Sequence, residues 1–193
     1  MRESRSETDK LRLQVYIAEY QAMMVRVNWF MSLQTTCWLA LPTFLTFVAA
    51  VGKDIDPVLI QWGAATVVEM LIFLNLVSLD EVYKHLLYIE TNLKPQLAGF
   101  SHMPLNSFFG WERYVRAKGK AGDPSVFDTA PPGVALVTFF IATSLTLSRT
   151  DSGKWPSYGD ILGLALASGA LILVGFVTVH ARKSRRRLNE ACT

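Results

Sequence analysis

Four stretches of the chain, 29–51, 57–79, 132–148 and 161–180, carry almost no charge and are bounded by segments that do. They run from 17 to 23 residues. Crossing the hydrocarbon of a bilayer takes about 20 apolar residues as a helix. Each stretch is therefore predicted to be a transmembrane helix, because the bilayer core has no water to satisfy the backbone of a loop or an open strand. None alternates apolar and polar residues with the period of two that a barrel strand requires. Residues 130 and 131 can extend the third and shortest stretch.

Outside these stretches the apolar spacing changes. Leu13, Ile17, Tyr20, Met24, Val27 and Met31 recur at alternating gaps of four and three, the seam of a helix packed on another helix. Polar residues such as Asp9, Lys10, Arg12 and Gln14 fill the positions between, so the first helix is predicted to begin near Asp9 and to reach well beyond the membrane. The same spacing returns in Leu79, Val82, Leu86, Ile89 and Leu93, and Pro95 is expected to stop that helix. Residues 1–98 then form one long helical hairpin with an antiparallel stalk. Residues 132–181 form a second, purely transmembrane hairpin, and 182–193 a basic tail. The expected fold class is an all-α, integral membrane four-helix bundle.

Composition agrees: 51% of the 193 residues are hydrophobic and 18% charged, too apolar for an ordinary water-exposed surface. The net charge of +3 is small, and no nucleic-acid partner is expected; its distribution says more. Sixteen of the nineteen lysines and arginines fall before the first span, between the second and third, or after the fourth. The positive-inside rule places those segments, and both termini, in the cytoplasm. The charged stretch before the first span is too long for the n-region of a cleaved signal.

In the connection 99–131, Phe108, Trp111 and Val115 can share a helix face, with Arg113 and Arg116 toward head groups, so a short interfacial helix or aromatics packed on the stalk are both open. Arg182, Lys183, Arg185, Arg186 and Arg187 suit anionic lipids or an acidic cytoplasmic protein partner. Cys37 and Cys192 are too far apart to pair, and neither a disulfide framework nor a zinc site is indicated.

Candidate chemistry is sparse. Glu69 falls near the middle of the second span, where an ionisable group must be paired, protonated or hydrated. No basic residue lies at its depth, which leaves hydroxyls, Gln34 or Gln61 as partners. It reads either as a proton or cation site or pore-lining group, or as a carboxyl hydrogen-bonding another helix. Ser32, Thr36, Thr43 and Thr46 share a face of the first span around Pro42; they either line a pore or bond across helices and to their own carbonyls. Gly163, Ala165, Ala167, Gly169 and Ala170 give the fourth span small-residue faces for close contact, within the bundle or between copies. Glu81 and His85 have one-turn spacing but lack a third metal ligand. No nucleophile elbow, phosphate loop, dinucleotide fingerprint or HExxH helix is present, and neither an enzyme nor a cofactor is expected.

Glu19-Tyr20-Gln21-Ala22, Tyr88-Ile89 through Leu93-Lys94-Pro95-Gln96-Leu97, and Gly110-Trp111-Glu112-Arg113-Tyr114 resemble the EYxAL-like, YI...L.P.L and GWExY segments of a group of small, uncharacterised bacterial four-span membrane proteins. The resemblance covers the first 115 residues or so. It implies a bacterial inner membrane and a shared architecture, and transfers no activity. The leading expectation is a non-enzymatic membrane protein that forms a homo-oligomer, acting as a pore or membrane-perturbing effector under control of its cytoplasmic stalks. A membrane-anchored structural or signalling adaptor is the alternative, and a small-substrate or ion transporter ranks third.

Overall fold

The computed structural model describes residues 2–51, 56–101, 126–150 and 157–191. Helix α1 spans Arg2–Val51 and α2 spans Pro57–Tyr88. A π-helical turn, Ile89–Leu93, leads from α2 into the short α3, Lys94–Ser101. Helices α4, Val126–Thr150, and α5, Tyr158–Ala191, complete the chain. No strand occurs among the described residues. Among the described residues four helices are long and apolar enough to cross a membrane: Asp9–Val48, Pro57–Phe100, Ala130–Ser148 and Tyr158–Ala191.

The ends of these helices follow from local chemistry. Asp56 caps α2, its Oδ1 accepting from the Val58 amide at 2.8 Å, with Pro57 at the first position, where a missing N–H costs nothing. Ser157 and Asp160 form a reciprocal capping box on α5. The Asp160 amide donates to Ser157 Oγ at 3.2 Å, and the Ser157 amide donates back to Asp160 Oδ2 at 3.1 Å.

At a rise of 1.5 Å per residue, α1 is about 75 Å long and α5 about 51 Å, against a hydrocarbon core of about 30 Å. Both overshoot, as does the α2–α3 rod. The expected stop at Pro95 does not occur. The π turn instead hands the Lys94 amide to the Ile89 carbonyl, five residues back, so Pro95 enters the first turn of α3, where its absent donor is not needed. The chain after Arg182 is likewise helical through Ala191, with Leu188 buried.

Helix α2 is the centre of the bundle and packs against α1, α4 and α5, while α4 also packs against α5. One core cluster joins Val68, Ile72 and Leu76 of α2 to Ala135 of α4 and Val174 of α5, with Leu41 and Phe44 of α1 against it. A second, nearer the start of α2, joins Trp62 and Ala65 to Ala142 and Ala167, without α1. The outward surfaces are apolar: Leu39, Phe47, Phe140, Ile172 and Phe176 are all exposed.

The inward face of α1 differs from the expected seam. Leu13, Tyr20 and Val27 hold, but Ile17 is 42% and Met31 51% exposed, and Tyr16, Met23 and Phe30 turn inward instead. Met24 is half-buried. Two heptad phases share residues 13, 20 and 27. The one realised continues through Gln34, Cys37, Leu41 and Phe44, and puts Tyr16 against Phe100 and Phe30 against His85. On α2 and the π turn, Val82, Ile89 and Leu93 are buried, and Leu79 and Leu86 half-buried.

Candidate functional site: the polar groups of the central helix

A row of polar side chains is buried along α2: Glu69, Asn75, Ser78 and Asp80. All but Glu69 have evident partners. Asn75 Nδ2 donates to the Gln34 carbonyl of α1 at 3.4 Å, and Ser78 Oγ donates to its own Leu74 carbonyl at 2.9 Å. Asp80 accepts from Ser184 Oγ of α5 at 2.6 Å and pairs with Lys84 Nζ at 2.8 Å. Lys84 also meets Glu81 at 2.7 Å, and these two carboxylates hold its ammonium above the usual lysine range.

Glu69 is fully buried, and neither of its carboxyl oxygens has a hydrogen-bond partner. The tie from Asp80 to Ser184 and the contact of Trp62 with Gly163 lie in the same order on both helices, so α2 and α5 run parallel. Between those two points Glu69 falls level with Ala170, in a stretch where Ala167, Ala170 and Val174 are the buried residues of α5. Small side chains there leave room for a carboxyl and offer it nothing to bond. An ionised carboxylate so placed costs several kcal/mol at least. The expected partners are elsewhere. Gln61 Nε2 donates to the Ala142 carbonyl and, at 2.9 Å, to Thr146 Oγ1; Gln34 Nε2 is itself buried and unpartnered.

Beside the start of α2, the first turn of α5 carries a third buried carboxylate, Asp160, that the hydropathy pattern passes over. Asp160 Oδ1 accepts from Trp62 Nε1 at 3.2 Å and from Thr146 Oγ1 at 3.4 Å, and Oδ2 accepts from Ser157 Oγ at 2.8 Å. Its charge sits on the first turn of α5, where the helix dipole favours an anion. The Ser-x-x-Asp spacing before an apolar run was the available signal. Gln61, Thr146, Trp62 and Asp160 thus tie α2, α4 and α5 together. Beside them, residues of α2 and α4 alone line a groove of about 550 Å³ that includes Ile60, Gln61, Thr138 and Leu145.

The small-residue faces of α5 separate into two. Gly163, Ala167 and Ala170 are buried, whereas Ala165 and Gly169 face outward. A Cβ on Gly163 would lie 2.6 Å from Trp62 Cδ1, while one on Gly169 would meet nothing within 4 Å. The hydroxyl face of α1 is also outward: Ser32, Thr36, Thr43 and Thr46 are exposed. Thr36, Thr43 and Thr46 donate to the carbonyls four residues earlier, at 3.0, 3.0 and 2.8 Å.

The stalk is held by polar contacts. Tyr88 Oη donates to Glu19 Oε1 at 2.7 Å, which raises the phenol above its usual range, and Glu90 pairs with Lys94 across the π turn. Burial also raises Tyr83, with the Arg185 charge acting in the opposite direction. Arg182, Lys183, Arg186 and Arg187 are exposed on the last turns of α5; Arg185 is half-buried. His85 Nδ1 lies 2.7 Å from the Glu81 carbonyl, and no group of three or more metal-binding side chains occurs among the described residues. Trp111, Arg113 and Arg116 lie outside the described residues. Comparison of the chain with protein-family models, curated proteins and solved structures finds no match.

Proposed function

We propose that this is a non-enzymatic four-span membrane protein that assembles with copies of itself through α1, and that a polar path forms between copies. The observation that carries this reading is the outward row Ser32, Thr36, Thr43 and Thr46, on a helix that is covered chiefly by α2 and α3. Glu69 is fully buried within one copy, whereas the hydroxyl row is exposed, so this reading puts the path for water or ions between copies. Hydroxyls satisfied by their own carbonyls can face lipid at little cost and still line a path.

By the distribution of lysine and arginine, both termini and the stalk face the cytoplasm, and the exposed Arg182, Lys183, Arg186 and Arg187 sit beside anionic lipid head groups. The bacterial inner membrane is the setting that the short motifs suggest.

The test is the mass of the particle purified in nanodiscs, imaged down the membrane normal. A symmetric ring with the Thr36, Thr43 and Thr46 face turned inward is expected, and replacing those threonines by leucine should close or dissociate it. A monomer, or a closed dimer whose α1 faces lipid, would sink the reading. That outcome would favour the adaptor reading, which has its own support: segments of α1, α2, α3 and α5 combine into a stalk joined by Tyr88 with Glu19 and by Asp80 with Ser184, a surface suited to a cytoplasmic protein.

A further inference from the structure

We infer that Glu69 is a proton-binding site, loaded in the packed bundle and emptied only when the interface of α2 with α5 loosens. The site is a fully buried carboxyl with two orphaned oxygens, level with the buried small residues Ala167 and Ala170 of the parallel helix. Its surroundings select the ligand. A metal cation at such a place needs several oxygen ligands, and among the described residues no group bonds to this carboxyl and no cluster of three or more metal-binding side chains includes it. A proton needs one oxygen.

Among the described residues, the charged groups on the helices packed against α2 are distant along those helices. On α1 the residues packed on the core beside it, Leu41 and Phe44, are apolar; the nearest titratable inward group is the buried thiol of Cys37, and Gln34, an amide, lies level with Asn75. On α4 no titratable residue lies from Pro131 to Ser148, and on α5 none lies from Ile161 to Val179, with Asp160 before that stretch and the exposed His180 after it. On α2 itself the next titratable group is Asp80, already bonded to Ser184 and Lys84. Among the described residues no cation is bonded to Glu69 to hold it ionised in the packed state, so charge on this carboxyl and close packing of α2 on α5 oppose each other. A change in occupancy of the site is then a change in helix packing.

The inference stands apart from self-association, since every group in it belongs to one copy. It is tested by infrared titration of the full chain in nanodiscs, with the spectrum of Glu69→Gln subtracted. A carboxylic-acid C=O stretch of a group without hydrogen bonds is expected in the wild type. It should be absent from E69Q, and should exchange reversibly for carboxylate bands as the buffer is made alkaline, together with faster amide exchange along the 163–174 stretch of α5. Should E69Q fail to fold, Glu69→Asp keeps a carboxyl one methylene shorter and must shift the band rather than abolish it. Absence of the acid band throughout would overturn the inference. So would a band that stays unchanged until the helices unfold, for that describes a neutral packing group and not a site that fills and empties.

Discussion

A Cβ at Gly163 has nowhere to go, because the indole of Trp62 occupies its place and is itself held by Asp160. Gly163→Ala must therefore push α5 off α2 or break the indole hydrogen bond, and should destabilise the bundle by about 1–3 kcal/mol. Gly169→Ala, six residues along on the open side, should be neutral or slightly stabilising, since alanine is the better helix former. Thermal unfolding of both variants in one detergent reads the difference, and equal behaviour of the two would contradict the packing described for α5. At this scale Glu69 could be read directly, because an acid in the middle of an apolar run must be buried or hydrated. Its lack of a partner could not, since Gln34 and Gln61 were equally available by depth. Gln61 is taken by α4, a choice that depends on how the second hairpin docks.

The helices themselves were legible from length and apolar run, and what escaped the pattern were matters of phase and termination. The apolar residues of the α1 stalk fit two heptad phases equally well, and only the position of its partner decides between Ile17 and Tyr16. Pro95 is a sound stop signal by itself. Its effect is absorbed by one extra residue, whose π turn removes the demand for the missing donor. This leads to a paired prediction. Deleting the exposed Asn92 while retaining Pro95 forces the proline into an α-helical interior and should cost about 3 kcal/mol. Deleting Asn92 together with Pro95→Ala should restore a regular helix with Leu97 still inward. Amide exchange along 86–101 reports both; protection that survives the single deletion would mean that the turn is not there to accommodate Pro95.

For the whole molecule, the asymmetry of basic residues makes an orientation claim that packing within one copy does not contain. In a Cys192→Ser background, a cysteine at Lys53 should react with a membrane-impermeant maleimide added outside intact cells; in the unsubstituted chain, Cys192 should react only after the cells are opened. The buried Cys37 should stay silent in both. The reverse pattern would invert the topology and move the stalk outside. The pairing of α2 with the parallel α5 also bears on how the protein is made. Glu69 leaves the ribosome about 100 residues ahead of the alanines it will lie against, a delay of about 5–20 s at ordinary rates of synthesis. For that interval a half-built hairpin carries an uncovered acid at mid-membrane, so biogenesis depends either on neutralising that acid at once or on an insertase that shelters α2 until the last helix arrives.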